Sequence, residues 1–202
     1  MRIAIIACEI FKEEIEFLTK DDPDFVIREY LEFALHDNKK NMRQVITKKV
    51  NELEGKADVV LLGYAICQSL QDISPELKVP IVMFAGDDCI DVLLGPDEYK
   101  RERKKCLGTW FSTPGWAVQG PEGLIKSFHL DSVEGFEPSY FLNIFFESYE
   151  RCLHIDTGIG NNEEYTQMSK DLADQLGLRL ECRSCELKNI EDAVANVKKM
   201  TF

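Results

Sequence analysis

Positive charge is scarce in this chain. Lys and Arg number 24 against 36 Asp and Glu, a formal net charge of −12, and the pI is about 4.8. A phosphate backbone is repelled by such a field, and no Lys/Arg stripe interleaved with aromatics offsets it, so nucleic acid is not an expected partner. The densest basic run, KRERKK at 100–105, reads as the solvated face of a helix. Long apolar runs are missing too. None approaches the ~20 residues of a membrane span. The opening MRIAIIACEIF turns acidic at Glu13, the pattern of a first strand and not of a signal peptide. The expectation is a cytoplasmic protein with no membrane partner. Repeats, low-complexity tracts and long linkers are absent as well.

Paired cysteine knuckles of the CxxC…CxxC type do not occur. The seven cysteines are an odd number, and in a reducing compartment they are better read as free thiols, metal ligands or a redox pair than as disulfides.

What is present is alternation. Ile3 to Ala7 is a continuous apolar run, the signature of a strand covered on both faces. Glu9 to Lys20 carries Ile10, Phe11, Ile15, Phe17 and Leu18 at helical spacing. Phe25 to Leu35 reads as a second strand, 38–53 as an amphipathic helix, and 58–62 and 81–84 as two more buried strands. DDCIDVLLG opens a helix with Asp87 or Asp88 as N-cap, because a carboxylate there accepts orphan amides of the first turn. Pro96 to Lys105 is a further helix. GTWFSTPGW (108–116) is a strand or loop with a turn at Pro114-Gly115. The segment 117–138 gives no clear pattern. A helix at 141–149, a strand at 152–156, a helix at 163–176, a strand at 178–182 and a helix at 190–199 complete the chain. Strands alternating with helices in this way predict an α/β fold, a mostly parallel central sheet with helices on both faces, doubly wound and Rossmann-like. The whole of 1–202 forms one domain in this reading, with two lobes, 1–107 and 140–202, as the alternative division.

Ligands bind beyond the carboxyl ends of the strands in such sheets. Four groups fall there: Cys8 after IAIIA, His36 in LEFALHDN, Cys67 in VVLLGYAIC and Cys89 in IVMFAGDDC. Three thiolates and an imidazole make a tetrahedral zinc set, and sulfur-rich ligation also suits an iron–sulfur cluster or a larger metallocofactor such as a corrinoid. Against this stands the habit of free cysteine to serve as a small buried hydrophobe. Asp88, beside Cys89, is the candidate general base.

The CxxC at Cys182 to Cys185 follows a strand but is flanked by glutamates, which disfavour a thiolate. In CLHIDTGIGNNEEY, the residues Asp156, Thr157, Gly158 and Gly160 lie between a strand and a helix. Such a turn exposes backbone amides that can hold an anionic group of a substrate. Trp110 and Trp116 are candidates to wall a pocket for a flat or apolar ligand, and equally candidates for a lid packed on the core.

Taken in order, CE, ALHDN, LLGYAIC, DDCIDVLLG, GTWFSTPGW and HIDTGIGNNEEY resemble domain-of-unknown-function family 1638 over nearly the whole chain. Where the family pattern has LHN, this chain has LHD; where it has YG-CG, this chain has YAIC followed by Gln68. The resemblance implies a protein of methanogens and other anaerobes, often encoded near corrinoid methyl-transfer systems. The function expected is metal binding, zinc first, with methyl or thiol transfer in one-carbon metabolism. A non-catalytic corrinoid-related carrier or a structural metal site is the alternative. The partner is a small-molecule substrate or a corrinoid protein, and a homo-oligomer is compatible with the sequence.

Overall fold

The computed structural model describes residues 1–33, 35, 38–67, 69–130, 135 and 137–201. The chain forms two compact units: Met1–Pro96 with Leu187–Phe202, and Asp97–Glu186. The fold is α/β, with one parallel sheet in each unit and helices packed against both, as in doubly wound proteins.

In the first unit the sheet runs β2-β1-β3-β4, built from β1 (Ile3–Cys8), β2 (Phe25–Leu31), β3 (Val59–Ala65) and β4 (Ile81–Phe84). Burial explains the strands. Ile3, Ala4, Ile5 and Ala7 have no exposed surface, nor do Val59 to Leu62, and each such aliphatic side chain taken out of water contributes roughly 1.5–3 kcal/mol. A 3₁₀ turn, Glu9–Phe11, leads into α1 (Lys12–Thr19); α2 (Lys39–Asn51) precedes β3, and α3 (Cys89–Leu94) follows β4. The last helix, α8 (Lys188–Lys198), returns to pack on β3, β4, α1 and α3. Its Asn189 side-chain amide donates to the carbonyl of Val92 at 2.9 Å.

Gly63 decides how closely β1 and β3 approach. It pairs in register with Ala7, and a Cβ at this position would lie 2.4 Å from the Ala7 Cβ and 3.0 Å from Ile15 Cδ1. Only glycine permits that spacing. The strand order also creates a topological switch point. From β1 the chain moves to β2 on one side, then crosses to β3 on the other, the arrangement at which open α/β sheets bind ligands beyond the carboxyl ends of the strands.

The second unit holds the sheet β5-β6-β7: β5 (Thr109–Ser112), β6 (Arg151–Asp156) and β7 (Arg179–Ser184). Its helices are α4 (Pro96–Lys105), α5 (Pro114–Ser127), α6 (Pro138–Phe146) and α7 (Asn162–Leu176). Buried Arg151 on β6 binds Glu102 Oε2 at 2.9 Å and Glu181 Oε2 at 2.8 Å, and donates to Thr109 Oγ1 at 3.0 Å. Buried charge persists only when satisfied in this way.

Several boundaries differ from the sequence reading. The second strand stops at Leu31 instead of Leu35, because the Phe33 amide turns to the Glu9 carboxylate at 3.0 Å and leaves the sheet ladder. Pro114-Gly115 is no turn. Thr113 caps a helix by accepting from the Trp116 amide at 3.3 Å, and Pro114 occupies the first helical position, where its missing N–H costs nothing. The unclear segment from 117 is largely that helix, broken where Gly120 takes φ 56° ahead of Pro121. The last strand runs Arg179–Ser184, two residues past the 178–182 expected, so the CxxC lies within it up to Ser184. No described helix is long and apolar enough to cross a membrane.

Candidate functional site

Three of the candidate ligands, Cys8, Cys67 and Cys89, fall at the carboxyl edge of the first unit's sheet. Cys8 ends β1, opposite Leu31 of β2 and one residue past the Ala7–Gly63 pair, the last that β1 makes with β3. Tyr64 follows Gly63 in the stretch where the register of β3 with β4 shifts. Cys8 and Tyr64 are both buried. The Cys8 thiol is pushed up to about 12. Burial is the main cause, with the charges of Cys89 and Glu9 adding to it and the Ile10 amide, which hydrogen-bonds to the sulfur, opposing it. Burial likewise raises the Tyr64 hydroxyl far above its ordinary value, and the charges of Cys8 and Glu9 push the same way. That hydroxyl has no hydrogen-bond partner among the described residues.

Cys89 arrives from the loop after β4 as the first residue of α3. Asp88 is its N-cap: one carboxylate oxygen, Oδ1, accepts the amides of Ile90 and Asp91, each at 2.9 Å. Cys67 follows β3 by two residues. The Ile66 amide beside it donates to the Gly86 carbonyl at 3.0 Å, which joins the Cys67 loop to the Cys89 loop. Glu9 joins a third, since its carboxylate holds the backbone just after β2.

Cys8 and Cys89 are therefore brought within electrostatic reach of each other, and Cys67 lies in a loop hydrogen-bonded to the one leading to Cys89. His36 lies outside the described residues. Among the described residues, no group of three or more His, Cys, Asp or Glu side chains is placed to hold a metal ion. All seven cysteines are free thiols.

Sequence reasoning missed three members of this rim. Tyr64 lies past the strand expected at 58–62 but within β3, directly after the glycine that marks close approach. Glu9 sits next to Cys8 and was counted only as helix. Asp91 is buried; its Oδ2 accepts the Asp87 amide at 2.8 Å, while Oδ1 has no partner among the described residues. Nothing in a helical stripe distinguishes a carboxylate that will turn back on its own N-terminus.

Trp110, Trp116 and the Asp156–Gly160 turn belong to the second unit. Trp110 meets Trp116 edge to face at 5.3 Å and Phe146 at 5.5 Å, an aromatic cluster around the end of α6. Asp156 closes its own turn, Oδ1 accepting the Gly158 amide at 2.8 Å. Asn161 caps α7, whose first turn bears Glu163 and Glu164. Thr157 is buried and its hydroxyl has no partner among the described residues, while Gly160 takes φ 73° against the Tyr165 ring. The amide at Gly158 is thus already engaged by a carboxylate, and two more carboxylates flank the turn.

Beneath it lies a chain that the sequence did not reveal. His154 Nδ1 is 2.9 Å from Ser169 Oγ, which is 2.8 Å from Ser112 Oγ, all three residues without exposed surface. Burial lowers the His154 pKa and Asp156 only partly restores it, so the ring is neutral; its Nε2 has no partner among the described residues. Burial, then the charge of Asp156, raises the Cys182 thiol, the direction foreseen but not from the flanking glutamates. The Cys185 amide donates to the Asp156 carbonyl at 2.9 Å.

No curated protein and no solved structure matches this chain. Residues 30–194 match the profile of a family described as a protein of unknown function, DUF1638, a span that includes β3, α3 and the whole second unit. That span is well over half of the sequence, and the chain belongs to the DUF1638 family.

Proposed function

We propose that this protein binds a soft metal ion, zinc first, at the carboxyl edge of the four-stranded sheet, through Cys8, Cys67, Cys89 and His36. One observation supports the reading: Cys8 at the end of β1 and Cys89 after β4 lie at the same edge of the sheet, near enough for a charge on Cys89 to add to the rise of the Cys8 thiol. Burial and a charge at Cys89 both disfavour a thiolate at Cys8, and a bound cation would offset them, since coordination deprotonates a thiol outright. Sulfur donors select zinc, Cu(I) or iron–sulfur clusters over hard cations. The seven free thiols fit a reducing compartment such as the cytoplasm.

When bound, zinc would supply a nucleophilic thiolate at neutral pH or an exchangeable position for a substrate thiol, the chemistry of methyl or thiol transfer. The chain's own part is to exclude water around Cys8 and to fix the Cys89 loop through the Asp88 cap. Asp88, next to Cys89, is the candidate base; the cap engages its Oδ1. A carrier or accessory role beside a corrinoid protein would use the same thiols without turnover.

Anaerobic purification followed by elemental analysis tests this. The expected result is one zinc per chain, lost in Cys67→Ser and Cys89→Ser. Equal amounts of iron and acid-labile sulfide would reassign the site to a cluster, and full metal retention by both variants removes it.

A further inference from the structure

His154, Ser169 and Ser112 form a hydrogen-bonded chain at the centre of the second unit. The ring nitrogen Nδ1 is 2.9 Å from Ser169 Oγ, and that oxygen is 2.8 Å from Ser112 Oγ. The chain ties α7 to β6 and β5. None of the three residues has exposed surface. The other ring nitrogen, Nε2, has no partner among the described residues and no surface that a water molecule can touch. A neutral imidazole tolerates this, because only one of its nitrogens carries a proton. An imidazolium does not. Its Nδ1–H can donate to Ser169 Oγ, but its Nε2–H meets nothing that accepts, and a buried charge left without hydrogen bonds is strongly disfavoured. The surroundings compensate little. On β6 itself the charge of Asp156 favours the imidazolium but does not outweigh burial. Cys152 on β6 and Cys182, the register partner of His154 on β7, are thiols that burial holds protonated. From β5 and α7 come the hydroxyls of Ser112 and Ser169.

Strain at this point is relieved by moving the helix. β6 is the central strand, held by backbone ladders to β5 and β7, whereas α7 rests on the sheet without a ladder. We propose that the His154–Ser169–Ser112 chain is an acid-sensitive latch: when His154 takes up a proton, α7 lifts from β5 and β6 and the ring reaches water. The motion uncovers a thiol. Cys152 lies two residues before His154 and so on the same face of β6. It has no exposed surface, and its Sγ is 3.9 Å from the Ser169 carbonyl. Acidification thereby turns an inert buried thiol into an accessible one while the strands stay paired. The latch lies wholly in the second unit and needs no metal.

Thiol labelling of the full chain with 4,4′-dithiodipyridine, which reacts in acid as well as at neutral pH, tests this between about pH 7.5 and 5. Peptide mass spectrometry gives the rate at each cysteine. Dividing it by the rate for the same cysteine in urea at the same pH leaves the protection that the fold provides. Cys152 should lose protection below about pH 6.5, by up to about tenfold per pH unit, since opening takes up one proton. Buried Cys106 is the internal control. It follows α4, which packs on the opposite face of the sheet through Glu102 and Arg151, and it should stay protected. In His154→Asn, which does not titrate, the protection of Cys152 should not vary with pH. Joint loss at Cys152 and Cys106 means that the unit unfolds as a whole, and it overturns the latch. Constant protection of Cys152 in the native chain overturns it as well, and so does a dependence on pH that survives in the variant. His154→Leu, with Ser169 left to bond Ser112, repeats the readout should the asparagine variant not fold.

Discussion

The Glu9 carboxylate accepts the Phe33 amide at 3.0 Å, so the residue after Cys8 holds the backbone that leaves β2. One side chain thereby joins two loops at the same rim. Glu9→Ala should lower stability by about 1–2 kcal/mol, the loss of a hydrogen bond to a charged acceptor that is partly solvated. It should also weaken metal uptake, because the segment it releases runs on towards His36. Urea unfolding followed by circular dichroism reads the first effect and chelator competition the second. Glu9→Gln, which keeps an acceptor, should retain most of both.

Gly63 tests the close approach of β1 and β3. With 2.4 Å between a new Cβ and that of Ala7, Gly63→Ala has no rotamer through which to relax. A loss of at least about 2 kcal/mol is expected, within the range for overpacked cores. The denaturant midpoint should fall with little change in slope.

His154 gives the second unit a dependence on pH. Its pKa is lower in the folded chain than in the unfolded one, with burial as the main cause. The unfolded state therefore takes up the proton first. Stability is complete above the unfolded value of about 6.5 and declines as pH falls below it, by roughly 1 kcal/mol per pH unit until the folded value is reached. Both tryptophans, Trp110 and Trp116, lie in this unit, so their fluorescence reports its unfolding. His154→Asn, which can still meet Ser169, should remove that slope below about pH 6.5. An unchanged slope would place the effect elsewhere.

Arg151 tests the buried charges. Side chains of Arg151 and Glu102 are each only 2% exposed. Arg151→Met removes one of three cations around buried Glu102, which keeps Lys105 and Arg183, so it should cost less than the about 3–5 kcal/mol of a fully stranded charge, and adding Glu102→Leu should recover part of the loss. The same tryptophan signal measures both.

Much of the fold was legible because burial writes itself into strands. IAIIA and VVLL are apolar at every position, and both are central strands with helices on either side. Capping chemistry placed α3 through Asp88. Where the reading failed, a distant partner had overruled local pattern. Phe25 to Leu35 has strand propensity throughout, yet Glu9 diverts the chain at Phe33. Pro114-Gly115 has the composition of a turn, but Thr113 makes it a helix start. The site was legible by position only: strand ends located Cys8, Cys67 and Cys89. Tyr64 and Asp91 could not be found that way, since their significance lies in polar atoms left without partners after folding. The His154–Ser169–Ser112 chain joins β6, α7 and β5 through a register that no spacing in the sequence encodes.

The central claim is that sulfur from three separate loops meets one metal ion. X-ray absorption at the zinc edge, on anaerobically purified protein, counts those sulfurs directly. The account predicts about three sulfur neighbours near 2.3 Å and one nitrogen neighbour near 2.0 Å. It also predicts one sulfur fewer in Cys89→Ser. Protein that holds no zinc after anaerobic reconstitution, or zinc surrounded by oxygen and nitrogen alone, would contradict it.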